Sequence, residues 1–298
     1  SYVMGHNCIC ETLPDGLTFT EESGVLALVA PGALLISNGL KDDNTAFYPS
    51  EMLRSYNNAM PVYQLYDAGE KFKHLIFDGP HSYPPETREA MLSLFNTWLK
   101  GNSNELPKMI SRDDMLDEEK LINFPSGKRD KSVITTAEYC KMKGNELKNI
   151  CLSEKEFNVD VKKEELKDIL KVTELPLITK VHEFPSENGW QKLALETSDT
   201  RLVPLLHLTP SPDSQEYVII CNPGGGAEIP LPLINEHYKR GAGIVIADLS
   251  GTGEAASQKS AEYDKLAAMH TLARAELWLG KTLTGEWVKE LNIIAQFL

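Results

Sequence analysis

The run Leu34-Leu35-Ile36-Ser37-Asn38-Gly39-Leu40-Lys41-Asp42 constrains this chain more than any other stretch. From Ala33 to Ser37 it carries no charge, which suits a strand covered on both faces by helices. Asn38-Gly39 ends that strand and delivers an acid, Asp42. A second run, His74-Leu75-Ile76-Phe77-Asp78-Gly79-Pro80-His81, ends in a Gly-Pro turn and a histidine. Between them Ser50 to Ala59 reads as a helix, with Ser50 as N-cap and Glu51 in the first turn. Val62 to Leu65 and Lys73 to Phe77 read as strands. From Pro84 to about Lys100, Met91, Leu94, Phe95, Trp98 and Leu99 recur at three-and-four spacing, an amphipathic helix that Lys100-Gly101 stops. Upstream, a short apolar helix is expected near Gly24 to Val29.

A strand with Asp, a helix, a strand with His and a final helix resemble the closing half of an α/β-hydrolase. Residues 1 to 101, and above all "LLISNGLKD … FDGPHSYPPETREAMLSLFNTWLKG", resemble the acetyl xylan esterase-like hydrolases. The resemblance implies that Asp42 orients and charge-balances His81. His81 would take the proton of a serine and return it to the leaving alcohol. Asp43 is the rival acid, since sequence alone does not fix which carboxylate points inward. The family activity is removal of acetyl or similar acyl groups from plant polysaccharide through an acyl-serine. That implies an acylated carbohydrate substrate, no cofactor, and a periplasmic or secreted setting.

Residues 102 to 132 are polar, charged and broken by Pro and Gly, and read as a linker between domains at 1–101 and 133–298. Thr135 to Lys148 and Lys162 to Lys171 follow as helices. Ile178 to Glu183, Gln191 to Leu195 and Leu202 to Leu208 read as successive, partly antiparallel strands. The buried-type strand Tyr217 to Cys221 breaks into Asn222-Pro223-Gly224-Gly225-Gly226. A helix from Leu231 to Lys239, a strand from Ile244 to Ala247 and a long helix from about Ala267 to Leu298 complete the pattern. Leu272, Leu279, Leu283, Trp287, Leu291, Ile294 and Leu298 line one face of the last helix, with Gly280 and Gly285 as weak points.

This second part resembles the opening half of the same fold, whose Gly-rich loop lends a backbone N–H to the oxyanion hole. Gly224, Gly225 and Gly226 are the candidates for that loop; a tight strand-to-helix turn is the alternative. The halves stand in reverse order, as at the junction of a tandem protein or in a circular permutation. The extra helices before the second part favour the tandem arrangement. The expected fold is therefore α/β-hydrolase-like, a mostly parallel sheet with flanking helices, in two partial units without the nucleophile-elbow strand. No G-x-S-x-G occurs. Ser250, at a strand end, is the only substitute nucleophile, and its flanks do not form an elbow. The chain alone is expected to be inactive, and the alternative function is a non-catalytic hydrolase-like domain for binding or assembly. An exposed sheet edge would favour self-association or a missing companion segment.

The charge balance argues against a nucleic-acid partner. Lys plus Arg number 30 against 43 Asp plus Glu, a net charge of −13, without the basic clusters that phosphate neutralisation requires. No apolar run reaches membrane-span length. Both chain ends read as cut, with no signal peptide at the first. Cys8, Cys10, Cys140, Cys151 and Cys221 form no metal-type array, and their odd number leaves at least one thiol unpaired. Cys8 and Cys10 read as small packing residues. His74, Asp78 and His81 can be drawn as a metal set, but the first two begin and end one strand. Gly251-Thr252-Gly253 lacks the Lys-Ser/Thr of a phosphate loop. Trp278 and Trp287 are expected in the core. His182, His207, His237 and His270 carry no assigned role.

Overall fold

A computed structural model describes residues 12–102, 115–125, 127–130, 132–153, 158–256 and 269–298. Cys8, Cys10 and the linker residues 103–114 lie outside them. The chain is mixed α/β and forms two compact units, Ser1–Ser82 with Glu165–Leu298, and Tyr83–Glu164. The boundaries expected at 101/102 and 132/133 both fall inside the second unit.

The first unit opens with two short helices, α1 (Gly16–Phe19) and α2 (Glu22–Ala27), and the strand β1 (Leu34–Gly39). Helix α3 (Pro49–Leu65) then crosses over to β2 (Phe72–Phe77), which pairs with β1 in parallel from Leu34↔Phe72 to Gly39↔Phe77. A parallel pair needs such a crossover. Tyr48 is the N-cap of α3 and Pro49 its first residue, so Ser50 is not the cap; the ring's fixed φ sets the start.

The strand expected over Val62 to Leu65 is instead the last turn of α3, which continues through Pro61. Burial explains it. Met52, Ser55, Ala59 and Tyr63 follow a three-and-four spacing on the buried face. Tyr63 is fully buried and stacks on Phe72 at 4.5 Å between ring centroids. Truncating such a residue typically costs about 3–5 kcal/mol, enough to offset a proline within the helix. Leu34, Ile36, Tyr56 and Met60 close this small core.

The second unit contains α4 (Pro85–Trp98), α5 (Glu118–Leu121), α6 (Thr136–Ser153) and the start of α7 (Val159–Leu170). Pro85 begins α4, close to the expected start. A capping box begins α6: Thr135 Oγ1 accepts from Glu138 N at 3.2 Å, and Glu138 Oε2 accepts from Thr135 N at 2.7 Å.

Back in the first unit, β3 (Ile178–Glu187), β4 (Trp190–Thr197) and β5 (Leu202–Leu208) form an antiparallel meander. Next come β6 (Tyr217–Ile220), α8 (Leu231–Lys239) and β7 (Gly243–Ala247), giving a five-stranded sheet in the order β3-β4-β5-β7-β6. Only β6 and β7 run parallel in it, so this sheet is mixed rather than mostly parallel. The local cause is the two-residue turn Asn188-Gly189, with φ of +52° and +84°, which folds β3 straight back onto β4.

Strand β7 is buried throughout. Val245 and Ala247 face a core that contains Leu195, Val203, Ile293 and Ile294, whereas Ile244 and Ile246 meet Ile220, Ile229 and Ile234. Burial on both faces requires its unbroken apolar run.

The expected long final helix is two helices, α9 (His270–Trp278) and α10 (Leu283–Phe297). Gly280, at φ +71°, stops α9, and Thr282 caps α10 by accepting from Gly285 N at 3.0 Å. Trp278 is buried. Asp15 N donates to Leu277 O at 2.8 Å, tying the start of α1 to α9.

Among the described residues, no helix is long and apolar enough to cross a membrane.

Candidate functional site

The C-terminal ends of β1 and β2 bring the two expected residues together. Past the last register pair, Leu40 N donates to Phe77 O and Lys41 N to Gly79 O, each at 2.9 Å. The approach requires glycine at position 39. A Cβ there would lie 2.9 Å from Pro80 O and closer still to Gly79 O.

Asp42 and His81 meet above this junction. Nδ1 of His81 lies 2.7 Å from Oδ2 of Asp42. Oδ1 of Asp42 accepts from Asn44 N at 3.0 Å, so both carboxylate oxygens are engaged. The Asp42 side chain is 2% exposed and that of His81 67%. Asp43 is exposed, which resolves the rivalry between the two acids in favour of Asp42 as the inward one. A carboxylate on Nδ1 favours the tautomer with its proton on that nitrogen, leaving Nε2 as the basic atom.

The pair has aromatic and polar surroundings. The ring of Phe47 sits 5.0 Å from that of His81 with planes inclined by 46°. Asn38 Nδ2 donates to Phe47 O at 2.7 Å. Phe47 also lines a cleft of about 130 Å³ with Leu26, Ile36, Met52, Glu51 and Arg54. His74, Asp78 and His81 take separate partners: His74 packs edge-on to Tyr56, Asp78 pairs with Lys41 at 2.7 Å, and His81 pairs with Asp42.

At the other expected site, Gly224 to Gly226 form a turn after β6 whose N–H groups donate within the protein. Gly224 N donates to Asn222 Oδ1 at 2.7 Å, Gly225 N to Asn222 O at 2.8 Å, and Gly226 N to Asp248 Oδ1 at 2.6 Å. Asp248 Oδ2 also accepts from Glu254 N at 2.8 Å, clamping the turns after β6 and β7 together. In this geometry all three glycine N–H groups have acceptors within the protein.

Ser250 donates its hydroxyl to Glu290 Oε1, and its N–H to Oε2 at 2.9 Å. Burial pushes the Glu290 carboxyl up from its ordinary value, with the Ser250 hydrogen bonds acting in the opposite direction.

Sequence reasoning passed over the ionic cluster beside it. Arg201 reaches Glu286 at 2.6 Å and Glu290 at 3.6 Å, and Lys289 reaches Glu286 at 2.8 Å. Burial works against the charge on Asp199, but hydrogen bonds from Arg201 and Thr197 override it and hold that carboxyl at about 2. The available signal was Glu286, Lys289 and Glu290 at three-and-four spacing within an apolar helix.

Two histidines without assigned roles have partners. His182 Nε2 lies 2.6 Å from Glu196 Oε2, and His207 Nδ1 lies 2.8 Å from Gln191 Oε1. Cys140, Cys151 and Cys221 are free and exposed.

Comparison with known proteins adds no family. No family model matches the chain, and no curated protein and no solved structure matches it significantly.

Proposed function

We propose that this chain carries the acid–base part of a serine carboxylesterase centre, with Asp42 orienting His81 and His81 moving the proton. The 2.7 Å contact between His81 Nδ1 and the buried Asp42 carboxylate supports the reading, because it leaves Nε2 on an exposed ring. In the reaction, Nε2 takes the proton of an attacking serine, a tetrahedral intermediate forms, and the imidazolium returns the proton to the departing alcohol. Water then repeats the sequence on the acyl-serine. The resemblance to acetyl xylan esterase-like hydrolases makes acylated carbohydrate the substrate class. The serine is not supplied by Ser250, whose hydroxyl is held by Glu290.

A second reading, a hydrolase-like domain that binds without catalysis, draws on the glycine turn, whose three N–H groups donate internally. Fluorophosphonate labelling of the protein as isolated from its native cells separates the two. One adduct on a serine other than Ser250, together with acetyl-ester hydrolysis that falls roughly 10⁴-fold in Asp42→Asn, supports the esterase. Absence of any adduct supports the binding domain, and an adduct on Ser250 overturns the assignment of its hydroxyl to structure.

A further inference from the structure

A histidine with two-thirds of its side chain in solvent is poorly restrained by one hydrogen bond. The His81–Asp42 contact engages one ring nitrogen and leaves the rest of the ring open to solvent. Three further observations bear on how the ring is held. Phe47 packs against it at 5.0 Å between centroids, inclined by 46°. The carbonyl of Phe47 is anchored to β1 by Asn38 Nδ2 at 2.7 Å. The intervening loop is folded by successive side-chain-to-backbone bonds: Asp42 Oδ1 accepts from Asn44 N, and Asn44 Oδ1 accepts from Ala46 N, each at 3.0 Å. The segment that presents the acid therefore also presents the aromatic ring, and Asn38 ties its far end back to the strand from which it departed.

We propose that Phe47, anchored through Asn38, is a positioning residue for His81, holding the imidazole so that Nδ1 stays on Asp42 and Nε2 stays directed at the incoming nucleophile. Phe47 touches neither the transferred proton nor the ester. It acts through the histidine, by filling the space into which the ring would otherwise rotate. This rests on the reading of Asp42 and His81 as a catalytic pair.

The experiment follows the His81 ring directly. Selective ¹⁵N labelling of histidine reports which ring nitrogen carries the proton. Wild type is compared with Phe47→Ala, Phe47→Tyr, Asn38→Ala and Asp42→Asn, and urea unfolding is recorded for each. The expected result is a dominant Nδ1–H tautomer in wild type. Its excess over the other tautomer falls about fivefold in Phe47→Ala, a change on the scale of one lost aromatic contact. Asn38→Ala gives a smaller fall and Phe47→Tyr restores the wild-type ratio. A tautomer ratio unchanged in folded Phe47→Ala overturns the positioning role. If Phe47→Ala does not fold, Asn38→Ala decides on the same criterion, because it leaves the Phe47 ring in place and removes only its anchor. A ratio unchanged in Asp42→Asn overturns the catalytic pairing itself, so failure of the underlying reading is distinguishable from failure of the proposal.

Discussion

The carboxylate of Asp42 and Nδ1 of His81 lie 2.7 Å apart although 39 positions separate them in sequence. The parallel register of β1 and β2 brings their carboxyl ends level, and Gly39 lets the two following turns close on each other. The geometry of the pair thus depends on backbone packing beneath it, which can be perturbed without touching either residue.

Gly39→Ala places a methyl group against the carbonyls of Gly79 and Pro80. The expected loss of stability is about 1–3 kcal/mol by urea unfolding. The separated turns also weaken the Asp42–His81 bond, which the histidine ¹⁵N spectrum detects as a more even mixture of tautomers.

Tyr63 distinguishes packing from polarity. Its ring stacks on Phe72, and its hydroxyl is buried with no hydrogen-bond partner among the described residues. Tyr63→Phe should leave stability unchanged or raise it by up to about 1 kcal/mol, because a desolvated hydroxyl is removed. Tyr63→Ala should cost about 3–5 kcal/mol. A large loss in Tyr63→Phe would reveal a hydrogen bond to the hydroxyl.

Arg201 is the cation between Asp199, Glu286 and Glu290. Arg201→Met should destabilise by about 3 kcal/mol, since it leaves buried carboxylates short of a partner. Adding Glu286→Gln should recover part of that loss. Additive losses in the double variant would show that the two side chains do not interact.

Stability should decline with acid in two stages. Burial lowers the His207 pKa below its ordinary 6.5, so the fold prefers the neutral ring. This contribution is present above 6.5 and is lost as pH falls below it. Asp199 is depressed from 3.8 to about 2, so its contribution is full above 3.8 and is lost as pH falls through 2. Urea midpoints measured against pH should lose the first stage in His207→Gln and show a smaller second stage in Asp199→Asn, where the depressed carboxyl of Glu286 still contributes.

Much of this architecture could be read from local pattern. A helix was expected over Leu231 to Lys239, and α8 has those bounds. Strand β5 likewise occupies the expected Leu202 to Leu208. Asp42 and His81 were singled out through the resemblance to the hydrolases, and the structure brings them within 2.7 Å of each other. Val62 to Leu65 was misread because its β-branched and aromatic content resembles a strand, whereas its conformation is decided by Tyr63 meeting a ring from β2. The Arg201 cluster was hidden for a related reason. Arg201 and Glu286 stand 85 residues apart, and no local spacing announces a partner at that distance. The packing of Phe47 on His81 is equally non-local.

The crossover between β1 and β2 also has a kinetic consequence. Two parallel strands cannot zip together from a tight turn; the crossover that contains α3 must be closed before their edges can meet. Asp42 and His81 lie beyond the last paired residues, so their contact is among the late events as this unit folds. In a refolding experiment the native histidine ¹⁵N signal of His81 should therefore lag behind the recovery of helical signal, and the imidazole becomes a clock for completion of the native state.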